Sequence, residues 1–81
     1  MSQVDSMDYD HFLDIKDMCC SAPIIYLTKE LKLMQSGDIV LAESNKSSMQ
    51  KDIPSYCSLT SNELLRQENN DGIFHFWIKV K

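Results

Sequence analysis

No stretch of this sequence is both uncharged and apolar for long enough to span a bilayer, so a soluble chain is expected. A secretory pattern is also missing. The segment Met1 to Asp10 is acidic through Asp5, Asp8 and Asp10 and lacks the basic start and apolar centre of an export signal. Cysteine is sparse, at three residues, and two of these are adjacent, which is unlike the even, spaced framework of a disulfide scaffold. A reducing compartment, by default the cytoplasm, is the expectation. Cys19 and Cys20 are accompanied by no Cys-x-x-Cys pair and no His-x-x-x-His spacing, so neither a structural zinc site nor any other metal or cofactor is expected. The two histidines, His11 and His75, are too far apart in sequence to suggest a ligand pair. Internal repeats, low-complexity tracts and linkers are lacking as well. With 12 acidic against 8 basic side chains the net charge is -4, which opposes whole-surface attraction to phosphate backbones. Protein partners are expected rather than nucleic acid or membrane.

What remains is the composition of one small soluble domain: 81 residues, 43% hydrophobic and 25% charged. A chain of this size buries one core. The reading is a flexible leader over 1–10 and a single domain, expected to be monomeric, over 11–81. Phe12, Leu13 and Ile15 form a short strand interrupted by Asp14. From Ala22, the residues Ile24, Ile25, Leu27, Leu31 and Leu33 or Met34 recur at helical spacing against Thr28, Lys29, Glu30 and Lys32. Gly37 is a candidate left-handed residue ending that helix, and Ile39 to Ala42 reads as a buried strand. The polar run Glu43 to Ser48 ends in good N-cap residues, after which Met49, Ile53, Tyr56, Cys57 and Thr60 follow at helical intervals despite Pro54. Asn69-Asn70-Asp71-Gly72 is a turn leading into the aromatic, β-branched strand Ile73 to Val80, the second arm of a terminal hairpin. The order β-α-β-α-β-β predicts an α+β fold: a two-layer α/β sandwich with a four-stranded mixed sheet and both helices on one face.

Cys20 stands between the first strand and the first helix, with Pro23 three residues on, where a helix tolerates proline. A thiol there points at unpaired N–H groups and the positive end of the helix dipole, which favour the thiolate. Cys20 is therefore the candidate reactive sulfur, set against the ordinary fate of a free cysteine as a small buried hydrophobe. Cys19 is a possible second thiol, although adjacent cysteines rarely bridge. Cys57, on the apolar side of the second helix, is assigned to the core. Phe74, Phe76, Ile78 and Val80 share one face of the last strand and are also core, leaving Trp77 as the candidate exposed apolar contact and His75 facing solvent. Lys16, Lys46 and Lys51 are either a cationic rim for a partner or ordinary solvated lysines.

The segment Leu13-Asp14-Ile15-Lys16-Asp17-Met18-Cys19-Cys20-Ser21-Ala22-Pro23 resembles the motif of the TusA (SirA-like) family of small sulfur carriers, in which Leu-Asp and a glycine turn lead into Cys-Pro-x-Pro and a helix. The resemblance continues through Met34 to Asp38, Lys51 to Cys57, Glu63 to Leu65 and the aromatic last strand. It implies that Cys20 accepts a persulfide sulfur from a cysteine desulfurase or rhodanese-like donor and relays it to an acceptor protein. Such acceptors serve 2-thiouridine formation in tRNA, molybdenum-cofactor enzymes or sulfur oxidation. Pro23 matches the second motif proline and Asp52 a recurrent acid before Ile-Pro; both are supporting residues by that resemblance. Two positions depart from the pattern: Ser21 stands for the first proline and Asp17 for the glycine. These departures keep open a non-catalytic interaction or regulatory module on the same fold, and the adjacent Cys19 and Cys20 keep open a thiol redox protein, which vicinal geometry disfavours.

Overall fold

The computed structural model describes residues 9–18 and 22–81. The elements are β1 (His11–Asp14), α1 (Ala22–Lys32), β2 (Ile39–Ser44), α2 (Met49–Thr60), β3 (Glu63–Asn70) and β4 (Ile73–Lys79). They give the expected two-layer fold. The sheet order is β1-β2-β4-β3, with β1 and β2 parallel and the other two pairings antiparallel. Because β1 and β2 run the same way, the chain leaves both strands at one end of the sheet, and both helices start there.

Apolar spacing decides which face of each element is covered. Pro23, Leu27 and Leu31 recur every four residues and form the buried stripe of α1. Ile25, read above as part of that stripe, is exposed, because two residues from Pro23 carry it to the opposite side of the helix. The helix ends at Lys32, so Leu33 projects into solvent while Met34 folds back onto the core. In α2 the buried stripe is Met49, Ile53, Tyr56 and Cys57, and Thr60 lies outside it. These stripes meet Leu13, Val40, Ala42, Phe74, Phe76 and Ile78, which share one side of the sheet.

The connections carry most of the local corrections. Ser48 precedes α2 in a helical conformation and makes no side-chain cap; instead the carbonyls of Lys46, Ser47 and Ser48 accept the first main-chain bonds. Pro54 has no N–H for the Gln50 carbonyl, and the Gln67 side-chain amide from β3 donates to that oxygen at 3.5 Å. The β3–β4 connection is the two-residue loop Asp71-Gly72, with φ of 53° and 84°, the signs of a type I′ hairpin turn. Gly37 is left-handed, as read from the sequence, although it lies beyond the helix end and is tied by its N–H to the Val80 carbonyl at 2.7 Å.

Candidate functional site

The β1–α1 connection begins as a tight turn. Met18 N–H bonds back to the Ile15 carbonyl at 3.4 Å, and Asp17, the third residue of that turn, has φ of 67°. This is the sign pattern of a type II turn, whose third position demands a left-handed residue. Glycine is the usual occupant; aspartate is among the few others that tolerate it. The turn is fastened at both ends. Asp14 Oδ1 accepts the Lys16 N–H at 3.0 Å, and the Ile15 N–H continues the strand pairing to the Glu43 carbonyl at 2.9 Å. From the β2–α2 connection, Asn45 Oδ1 accepts the Asp17 N–H at 3.0 Å while Asn45 Nδ2 donates to Asp17 Oδ1 at 2.9 Å. The two connections that lead into the helices are thereby joined.

Cys20, Cys19 and Ser21 fall outside the described residues. The two positions that the resemblance names as supporting, Pro23 and Asp52, are both described. Pro23 is fully buried in the first turn of α1, where its missing N–H leaves no helical bond unmade. Asp52 is exposed in the first turn of α2, where a carboxylate suits the positive end of the helix. Cys57 is buried, and burial pushes its thiol up to about 11, so it stays protonated at neutral pH. Its core assignment holds. Among the described residues, no three His, Cys, Asp or Glu side chains cluster as metal ligands, and no helix is long and apolar enough to cross a membrane.

Lys16 is drawn into the sheet rather than left at a rim. Its ammonium meets Glu43 at 2.5 Å and Asp14 at 3.1 Å, contacts that raise its affinity for the proton, Glu43 contributing most. The same contacts hold the Glu43 carboxyl below the usual carboxylate range, with His75 adding to the effect through a 2.8 Å bond to the other Glu43 oxygen. Asp14 is likewise held low, first by the Lys16 N–H and then by its ammonium. Asp14, Glu43, His75 and Glu68 are register partners across all four strands, forming one polar row on the helix-free side. His75 is thus bonded to a carboxylate instead of facing solvent.

Trp77 corrects the sequence reading outright: it is 3% exposed, although it lies on the side of the sheet opposite α1 and α2. An irregularity in β3 decides which side chain stands beside it. Leu64 pairs with Ile78 and Arg66 with Trp77, so Leu65 is an extra residue that turns Arg66 onto the open side. The Arg66 guanidinium lies 5.7 Å from the Trp77 ring centre, and the His75 ring lies 6.0 Å away. Neither this coverage nor the Asp17–Asn45 contact has a local sequence signal.

A family model described as "Sulfurtransferase TusA" matches residues 11–80, nearly the whole described chain. The chain belongs to the TusA family. It is 33% identical over 72 residues to the sulfur carrier protein TusA of Allochromatium vinosum, covering 89% of this chain and 95% of that one. Against the sulfur carrier protein TusA of Buchnera aphidicola it is 31% identical over 70 residues, covering 86% and 89% of the two chains. The crystal structure of a SirA-like protein from Desulfitobacterium hafniense superposes with a TM-score of 0.74 at 17% identity, covering 86% of this chain and 96% of that one. That structure speaks to the fold.

Proposed function

We propose that this chain is a sulfur carrier in which Cys20 accepts a sulfane sulfur from a donor protein and passes it to an acceptor protein. The observation that carries the reading is the family match over residues 11–80, a span that contains Cys20, whose sequence context resembles the family's Cys-Pro-x-Pro motif two residues before the first residue of α1. The Cys20 thiolate attacks the terminal sulfur of a donor persulfide. A new S–S bond forms to Cys20, the donor's S–S bond breaks, and the donor cysteine leaves as thiolate, so no external oxidant or reductant is needed. A second attack, by an acceptor thiolate on the terminal sulfur held by Cys20, returns Cys20 to its starting state. A thiol ahead of a helix start is acidified by the unpaired N–H groups, which favours both thiolate and persulfide anion. The donor fits a cysteine desulfurase or a rhodanese-like protein. Acceptors fit tRNA 2-thiouridine synthesis, molybdenum-cofactor enzymes or sulfur oxidation, and the working compartment is the cytoplasm.

Incubation with a cysteine desulfurase, cysteine and a persulfide-selective label, followed by peptide mass spectrometry, tests this directly. Extra sulfur on Cys20, lost in Cys20→Ala and kept in Cys19→Ala, is the expected result. An unmodified Cys20 would overturn the carrier reading in favour of an interaction module, and a Cys19–Cys20 disulfide without added sulfur would favour redox chemistry.

A further inference from the structure

Asp17 holds a backbone angle that an L-residue adopts only at a cost, and one side chain from a different connection engages it twice. The two Asn45 bonds act on different parts of Asp17. The bond to the Asp17 N–H fixes the peptide between Lys16 and Asp17; the bond to Oδ1 fixes the direction of the carboxylate. We propose that Asn45 is a positioning residue for the chemistry of Cys20. It supplies from outside the conformational control that glycine at position 17 would need no help to achieve, and it ties up a negative charge three residues before the thiol. This inference rests on the sulfur-carrier reading.

Loss of Asn45 acts in two ways. The left-handed angle loses its external support, so the chain enters the motif by more than one path. The carboxylate, three residues before the thiol in sequence, also loses its partner, and a like charge near a thiol opposes thiolate formation. Glycine at position 17 removes both problems at once, since it adopts the angle without strain and carries no charge. Asparagine at position 17 keeps the acceptor oxygen and the tolerance for left-handed geometry while removing the charge.

A double-mutant cycle on Asp17→Gly and Asn45→Ala, with Asp17→Asn as the conservative control, separates these roles from simple loss of a surface contact. Two readouts are taken: the rate at which Cys20 gains sulfur from a cysteine desulfurase supplied with cysteine, and the pH profile of Cys20 alkylation by iodoacetamide at peptide level. Asn45→Ala is expected to slow sulfur acceptance about fivefold beside Asp17, within the range that contacting residues show, and to move the alkylation midpoint to higher pH. In the Asp17→Gly background the same change should cost less than about twofold and leave the midpoint in place. Asp17→Asn should retain the wild-type rate.

Equal slowing in both backgrounds, or no slowing in either, would overturn the role given to Asn45. Circular dichroism at the assay temperature identifies any variant that fails to fold. If Asn45→Ala alone is unfolded, recovery in the double variant Asp17→Gly with Asn45→Ala supports the proposal and continued unfolding overturns it. Should the wild-type chain take up no sulfur at all, the carrier reading fails, and the alkylation profiles still decide what Asn45 does.

Discussion

On the helix side of the sheet, Val40, Ala42, Phe76 and Ile78 are sealed by the stripes of α1 and α2 in an apolar layer that needs no polar partner. On the other side no helix of the described residues helps. There Phe12, Leu41, Trp77 and Arg66 make one cross-strand row, and Asp14, Glu43, His75 and Glu68 make the next. The first side is held by burial, which is non-directional and tolerant of small changes in shape. The second depends on named pairs, a guanidinium over an indole and a lysine bridging two carboxylates, each sensitive to the loss of one member. It is the second side that runs into the turn before the motif, because Lys16 bonds two carboxylates of the polar row and Asp17 is its neighbour.

The sharpest way to break this contrast is to empty each side in turn. Phe76→Ala should destabilise the fold by about 3–5 kcal/mol in urea denaturation, the range for a fully buried aromatic. Trp77→Ala should cost less, about 2–3 kcal/mol, because its neighbours include polar groups that water can take over. Equal losses would show that the open side is a second core.

A smaller effect tests the polar row through pH. Glu43 has its carboxyl held below its ordinary 4.5, so the stability it contributes is present above that value and is lost as pH falls through the lowered one. Melting temperature should therefore fall on acidification, and Glu43→Gln should flatten that limb relative to wild type; an unchanged limb would remove Glu43 from the account. At the alkaline end Lys16, whose proton is held more tightly than usual, loses its contribution only as pH rises beyond its ordinary 10.5.

Two near-silent outcomes complete the series. Cys57 should resist alkylation at neutral pH while the chain is folded, since its thiol titrates at about 11; rapid labelling would mean that the helix side opens readily. Leu59→Ser, at a side chain 85% exposed on α2, should change stability by less than about 0.5 kcal/mol.

The same contrast explains what could be read from the sequence. The helix-side core was legible because it is periodic: Phe74, Phe76 and Ile78 alternate, Leu27 and Leu31 recur every four residues, and Asp71-Gly72 announces its turn locally. Trp77 was misread because alternation assigns a face but not its cover, and Arg66 reaches that face only through the extra residue Leu65 in the partner strand. His75 and Glu43 were missed for the same reason, as residues 32 apart meet only once β2 and β4 are paired. At the motif, the helix start at Ala22 and the place of Pro23 in its first turn agree with the sequence reading. Asn45 carried no signal at all: an asparagine in a polar loop looks like any other until β2 lies beside β1.

That last point has a meaning in time as well as in space. Asp17 and Asn45 are 28 residues apart, and the contact between them requires β1, α1 and β2 to have come together. During synthesis Cys20 leaves the ribosome before Asn45 does. The turn of the nascent chain therefore has its local bonds within reach before it has its clasp, which arrives only when the first parallel pairing closes.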